Sequence, residues 1–107
     1  MSRFYFLTMR KTSSKQAAKN RINSKFKSTL EPICFICGCF GCDLAHLLPK
    51  SLYPEHYTNE NNLVIMCRNC HNKHDNDLNF RQKQVKIYNK ICEFDIIGAA
   101  KYFKIYD

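Results

Sequence analysis

The sequence lacks the features that would export the protein or anchor it in a membrane. Its first residues, MSRFYFLTMRKTSSK, contain an apolar run of only four residues, which is too short for a secretory signal peptide. No apolar stretch is long enough to span a membrane, and the chain has no internal repeat or low-complexity tract. These absences predict an intracellular, reducing location, compatible with a phage or mobile-element gene.

Acidic residues are missing from one end of the chain. Residues 1–30 carry eight Lys and Arg and no Asp or Glu, residues 31–80 carry three basic and six acidic residues, and residues 81–107 carry six and three. Basic flanks around an acidic middle favour a polyanionic partner, most simply nucleic acid, although a role in solubility alone is the alternative. The candidate phosphate-binding residues are Arg10, Lys11, Lys15, Lys19, Arg21 and Lys50.

The hydrophobic pattern predicts an α+β fold in three parts. Residues 1–30 form a basic segment with a helix over 13–30, which begins with a capping box of Ser13 and Gln16. Residues 31–76 form the central domain, with strands over 43–48 and 62–66 separated by a long loop. Residues 77–107 form two helices, over 77–94 and 95–106, which begin at Asp77 and Asp95. Whether the chain is a monomer or a homodimer is left open.

Seven cysteines in 107 residues predict a metal site, because an odd number of thiols in a reducing compartment argues against disulfides. Two pairs with two-residue gaps, Cys34 with Cys37 and Cys67 with Cys70, can close a tetrahedral zinc site that ties two segments together. A third pair, Cys39 with Cys42, is the alternative partner for Cys67 and Cys70. The first pair is favoured because Gly38 follows its turn. Cys92 is expected to be a small core residue.

The order of these motifs resembles the HNH endonuclease family in its zinc-stapled subgroup. The resemblance covers residues 33–75, where a cysteine pair precedes LAHLLPKS and then NNLVIMCRNCH. It implies a small zinc-stapled ββα-metal core with flanking basic helices. It also implies a DNA endonuclease that hydrolyses phosphodiester bonds with a structural Zn²⁺ and a catalytic divalent ion, Mg²⁺, Mn²⁺ or similar.

Three residues match the marks of the family. His46 matches the general base, Asn62 matches the asparagine that braces the long loop, and His71 matches a ligand of the catalytic ion. His74 is the candidate for a second ligand. A neutral imidazole with a pKa near 6.5 suits base catalysis at neutral pH.

One position departs from the family pattern. Many members carry Asp or His immediately before the base, where this sequence has Ala45. His74, Asp75 or Asp43 can replace the missing ligand. Otherwise the ion is weakly held, or the protein is a non-catalytic zinc-dependent nucleic-acid-binding module. A thiol-redox protein is disfavoured because no βαβ unit surrounds the cysteine pairs.

Overall fold

The computed structural model describes residues 13–105, and it confirms a mixed α+β architecture. Within this range the chain forms a two-stranded sheet and five α-helices. The strands are β1 (Asp43–His46) and β2 (Leu63–Met66), and the helices are α1 (Ser14–Lys27), α2 (Arg68–Asn76), α3 (Leu78–Gln82), α4 (Val85–Cys92) and α5 (Ile96–Phe103). No helix in residues 13–105 is both long and apolar enough to cross a membrane.

The sheet and the helix that follows it form a ββα unit. The strands are antiparallel, with Asp43 opposite Met66 and His46 opposite Leu63. Every residue of β2 is buried, as its continuous apolar sequence predicts. The chain then turns at Cys67 directly into α2, so the strand pair and the helix carry the candidate site residues on adjacent elements.

Two glycines shape the cysteine-rich turn before β1. Gly38 has a φ of 78°, a left-handed conformation that glycine adopts without steric cost. At Gly41 a Cβ atom would lie 2.8 Å from the carbonyl carbon of Met66, so only glycine allows the turn to approach the end of β2 this closely. The backbone N–H of Phe35 donates to the carbonyl of Ile65, which fixes the turn against the strand.

The first helix begins as the sequence predicts. The Ser13 hydroxyl accepts a hydrogen bond from the Gln16 N–H and so caps α1. Most of its surface is exposed, and Asn23 is its one residue that is buried. The one buried side chain of this basic helix is therefore a polar one.

The chain beyond residue 76 shares one core with the sheet. Ile87, Ile91 and Phe103 are fully buried together with Leu47 and Met66. Burial of each such side chain stabilises the fold by about 1.5–3 kcal/mol. The central and C-terminal parts therefore do not have separate cores.

The single helix expected over residues 77–94 is two helices in the structure. Asp77 does cap the first one, α3, by accepting from the Phe80 N–H. The backbone of Gln84 then leaves the helical region, with ψ at 73°, before α4 begins. This break redirects the chain so that α4 buries Ile87 and Ile91, and no glycine or proline marks it in the sequence.

Candidate functional site

Four cysteines from two distant segments bring their sulfur atoms together. The ligand atoms of Cys34, Cys37, Cys67 and Cys70 all lie within 4.8 Å of one another, and the sulfurs of Cys37 and Cys67 are 3.7 Å apart. Sulfurs bound ~2.3 Å from a tetrahedral Zn²⁺ are ~3.8 Å apart. The cluster thus has the ligands and the spacing of a zinc site, and the predicted quartet is confirmed.

Backbone N–H groups point at two of the four sulfurs. The N–H of Cys37 points at the sulfur of Cys34, and the N–H of Cys70 points at the sulfur of Cys67, at 3.5 and 3.4 Å. Burial acts to raise the pKa of Cys34, but the surrounding backbone N–H groups outweigh it and lower that pKa to about 6. Burial and the neighbouring sulfurs raise the pKa of Cys70. A bound cation would therefore favour the thiolate form of Cys70 beside the other sulfurs.

The third cysteine pair stays outside the cluster. Cys39 and Cys42 are both exposed. The carbonyl of Cys39 accepts from the Cys34 N–H, so Cys39 closes the turn through its backbone while its side chain lies at the surface. The alternative in which this pair completes the zinc site is not what the structure shows.

A second centre lies in a cleft of about 430 Å³ beside the sheet. Its lining includes His46, Lys50, His71, Asp75 and Tyr102. The structure thus brings together the two histidines to which the family resemblance assigns the roles of base and metal ligand. Cys70 and His71 are adjacent in sequence, so the sulfur cluster and the cleft share one turn of α2.

His46 is held at the end of β1 with a defined orientation. Its Nε2 lies 3.1 Å from the carbonyl oxygen of Tyr57, and its ring stacks on the Tyr57 ring at 4.7 Å and 8°. A carbonyl only accepts, so Nε2 carries the proton and Nδ1 keeps a free lone pair. Burial lowers the pKa of His46, opposed by the hydrogen bond to Tyr57 and assisted by the nearby His71. Burial therefore favours the neutral form of the ring.

Asn62 braces the loop that carries Tyr57. Its side chain is fully buried, and its Nδ2 donates to the carbonyls of Leu48 and His56, while its Oδ1 accepts from the Leu48 N–H. These three bonds join the two ends of the loop between the strands. The geometry is the bracing that the family resemblance implies, and the neighbouring Asn61 is exposed.

His71 lies between two carboxylates. Its Nδ1 is 3.0 Å from Asp43 Oδ2, and its Nε2 is 3.4 Å from Asp75 Oδ2. Arg68 also donates to Asp43. The hydrogen bonds from Arg68 and then from His71 lower the pKa of Asp43 to about 2, so Asp43 is ionised and accepts the Nδ1 proton of His71. With Nδ1 turned to Asp43, the other ring nitrogen, Nε2, faces Asp75.

The pair of His71 and Asp75 suits a divalent cation. Two ligand atoms ~2.1 Å from one ion lie ~3.0–3.4 Å apart at octahedral to tetrahedral angles. The observed separation of 3.4 Å between Nε2 and Oδ2 falls within this range. Asp43 already accepts hydrogen bonds from Arg68 and His71. It therefore orients the imidazole through Nδ1, the ring nitrogen that does not face Asp75.

The structure corrects the expectation that His74 adds a ligand. His74 is fully buried and is absent from the cleft lining. Its Nε2–H donates to the carbonyl of Leu47 at 3.0 Å, and its Nδ1 is buried without a hydrogen-bond partner. Burial lowers the pKa of His74 and keeps it neutral. It connects α2 to Leu47, the residue after His46, and lies outside the cleft.

Two positioning groups escaped the sequence analysis. The side chain of His56 is only 15% exposed and donates through Nε2 to Asp95, so it fixes the long loop to the start of α5. Arg81 is buried, and its guanidinium donates to the carbonyls of His74, Asp75 and Tyr102. A buried arginine that binds backbone carbonyls leaves no pattern in the sequence, since its partner is not a carboxylate.

The candidate phosphate-binding residues fall into three groups. Lys15, Lys19 and Arg21 are exposed on α1, as a phosphate-binding role requires. Lys50 lies at the cleft, where its Nζ donates to Gln16 Oε1 at 2.8 Å and lies 4.9 Å from the Tyr57 ring centre. Arg10 and Lys11 are outside the described residues.

No protein-family model, no curated protein and no solved structure matches the chain.

Proposed function

We propose that this protein is a metal-dependent endonuclease of the HNH type that hydrolyses DNA phosphodiester bonds. The observation that supports this most is the cleft, in which a neutral imidazole with a free Nδ1 accompanies a histidine–aspartate pair at metal-ligand spacing. The resemblance across residues 33–75 assigns the same roles to His46, Asn62 and His71.

His46 acts as the general base. Its Nδ1 takes a proton from a water molecule as the water oxygen forms a bond to phosphorus and the bond to the leaving oxygen breaks. The Tyr57 carbonyl holds Nε2–H and stabilises the imidazolium that forms, since a carbonyl dipole favours the charged donor. Burial keeps the ring unprotonated until this step.

His71 and Asp75 would hold the catalytic Mg²⁺ or Mn²⁺. When bound, the ion supplies charge stabilisation to the phosphate and to the leaving oxygen. Asp43 fixes the imidazole of His71 through Nδ1–H, and the zinc turn fixes its backbone. Lys50 lies at the same cleft and adds positive charge for the phosphate.

The exposed basic residues of α1 supply affinity for the DNA backbone. Each contact between a lysine or arginine and a phosphate adds to the salt dependence of binding and does not select sequence. Lys15, Lys19 and Arg21 are the described residues of α1 assigned this role.

Plasmid nicking tests the proposal. Zinc-loaded protein is expected to nick supercoiled plasmid with Mg²⁺ or Mn²⁺, and His46→Ala is expected to slow nicking by ~10²–10⁴-fold because the base is lost. Binding to a labelled duplex should survive this change. Asn69→Ala, an exposed position on α2, is the matched control and should nick as the unaltered protein does.

Two outcomes would overturn the proposal. The first is the absence of nicking by pure protein across several divalent ions while duplex binding persists, which would favour the non-catalytic binding module. The buried Ala45 in place of a ligand is the observation behind that alternative. The second is nicking that His46→Ala leaves unchanged, which would assign the activity to a contaminant or another centre.

A further inference from the structure

The N-terminal helix reaches the residue that orients the base. Asn23 of α1 is 5% exposed, and its Nδ2 donates to the carbonyl oxygen of Tyr57 at 3.1 Å. The Nε2–H of His46 donates to the same oxygen, also at 3.1 Å. One carbonyl, with two lone pairs, thus receives one donor from the base and one from α1.

Two further residues on the same side of α1 contact this loop. Asn20 Oδ1 accepts from the Tyr57 hydroxyl at 2.8 Å, and Gln16 Oε1 accepts from Lys50 Nζ at 2.8 Å. Positions 16, 20 and 23 are spaced four and three residues apart, so they share one face of the helix. This face is polar and contacts the base-holding loop, while Lys15, Lys19 and Arg21 are exposed.

Asparagine at position 23 does not maximise the free energy of unfolding. Its Oδ1 is buried and has no hydrogen-bond partner among the described residues. A buried acceptor without a partner costs free energy, and an apolar residue of similar size would avoid this cost. The amide is therefore better explained by what its Nδ2 does to the Tyr57 carbonyl than by its contribution to folding.

We propose that Asn23 is a positioning residue for the general base, and that α1 regulates the orientation and tautomer of His46 through Tyr57. This inference rests on the proposed endonuclease function. Asn23 holds the carbonyl where it accepts from Nε2, so the proton stays on Nε2 and Nδ1 remains the basic atom. Without α1 in place, the carbonyl moves and the proton distributes between both ring nitrogens.

Asn23→Leu and Asn23→Asp test this, with Ser24→Ala, an exposed neighbour on α1, as the matched control. Leucine removes the donor and the unpartnered oxygen together, and aspartate keeps the shape without the donor. We expect kcat for nicking to fall by ~10–100-fold in both variants because the base is misplaced, with KM unchanged. The Tm of Asn23→Leu should equal or exceed that of the unaltered protein. Ser24→Ala should change none of these.

The ¹⁵N NMR spectrum of the His46 ring separates this inference from the proposed function. We expect the unaltered protein to show the Nε2–H tautomer and both Asn23 variants to show an increased Nδ1–H population. If the unaltered protein does not nick DNA, the endonuclease proposal fails, and this spectrum alone decides the role of Asn23. An unchanged tautomer in well-folded Asn23→Leu would overturn the inference. The inference would also be overturned if Asn23→Leu lowered the Tm and reduced DNA binding by the same factor as kcat. Such parallel losses would indicate a merely structural role.

Discussion

The sulfur cluster and the cleft lie on the same helix but are built in different ways. Each half of the cluster comes from four consecutive residues, in which a backbone N–H three positions on points at the first sulfur. The cleft combines His46 from β1, His71 and Asp75 from α2 and a brace from the long loop, and α1 adds a further contact. The cluster is thus a local construction used twice, whereas the cleft is assembled from distant segments.

This difference determines how each centre responds to the removal of one side chain. Removal of one thiol leaves an incomplete tetrahedron and affects the whole fold, because metal binding energy is folding energy. Removal of one group around the cleft leaves the remaining contacts in place and shifts a ring or a loop by a small amount. Loss of one thiol should therefore abolish zinc binding, whereas loss of one contact that positions a cleft residue should reduce the function of the cleft only in part.

The largest expected effect tests the cluster. Cys70→Ser should abolish stoichiometric zinc and cooperative thermal unfolding, because structural zinc contributes on the order of 10 kcal/mol or more. Metal content and circular dichroism melting, with and without a chelator, measure this. Cys39→Ser is the matched control and should keep both properties, because Cys39 is exposed and outside the cluster. Loss of zinc in Cys39→Ser would contradict the assignment of the quartet.

A smaller effect is expected at the brace of the cleft. Asn62→Ala removes three hydrogen bonds and leaves buried backbone groups without partners, so the free energy of unfolding should fall by about 2–4 kcal/mol. Urea denaturation of the zinc-loaded protein measures it. Asn61→Ala, at the exposed neighbour, should stay within about 0.5 kcal/mol of the unaltered protein. Equal losses at both positions would show that Asn62 is not a specific brace.

The smallest expected effect is a pH dependence that arises at His74. Its pKa is lowered in the folded state, so below a pH of about 6.5 the unfolded chain binds a proton that the folded chain does not. Stability should therefore be full above that pH and fall as the pH drops, by at most about 1.4 kcal/mol per pH unit for this group. Melting of unaltered protein and His74→Gln between pH 7.5 and 5.5 measures it. A slope that the substitution leaves unchanged would exclude His74 as the source.

Those parts of the molecule that depend on neighbouring residues could be predicted from the sequence. The spacing within the cysteine pairs predicts the quartet, Ser13, Asp77 and Asp95 predict three helix starts, and the apolar run predicts β2. Each of these signals lies within a few residues of the structure that it specifies.

Features that depend on long-range packing could not be predicted. His74 lies three residues after His71, as a ligand on the same helical face would. It is nevertheless buried, with its ring hydrogen-bonded to the carbonyl of Leu47. The choice between a core and a ligand position depends on which side of α2 meets the sheet, and spacing alone does not determine that. The contact from Asn23 to Tyr57 spans 34 residues, and an asparagine in a basic helix shows no sign of it.

Arg81 has a consequence for attempts to transplant this centre into another protein. The excised segment 31–76 would contain all four sulfurs, both cleft histidines and Asp75. However, the last carbonyls of α2 would lose the guanidinium that binds them from beyond residue 76. Tyr102 would be lost as well. It lines the cleft, and the centre of its ring lies 3.9 Å from the Cζ atom of that guanidinium. A portable cassette therefore needs the contact from α1 and extends through α5, and a shorter graft would carry the site residues without the surface that holds them in place.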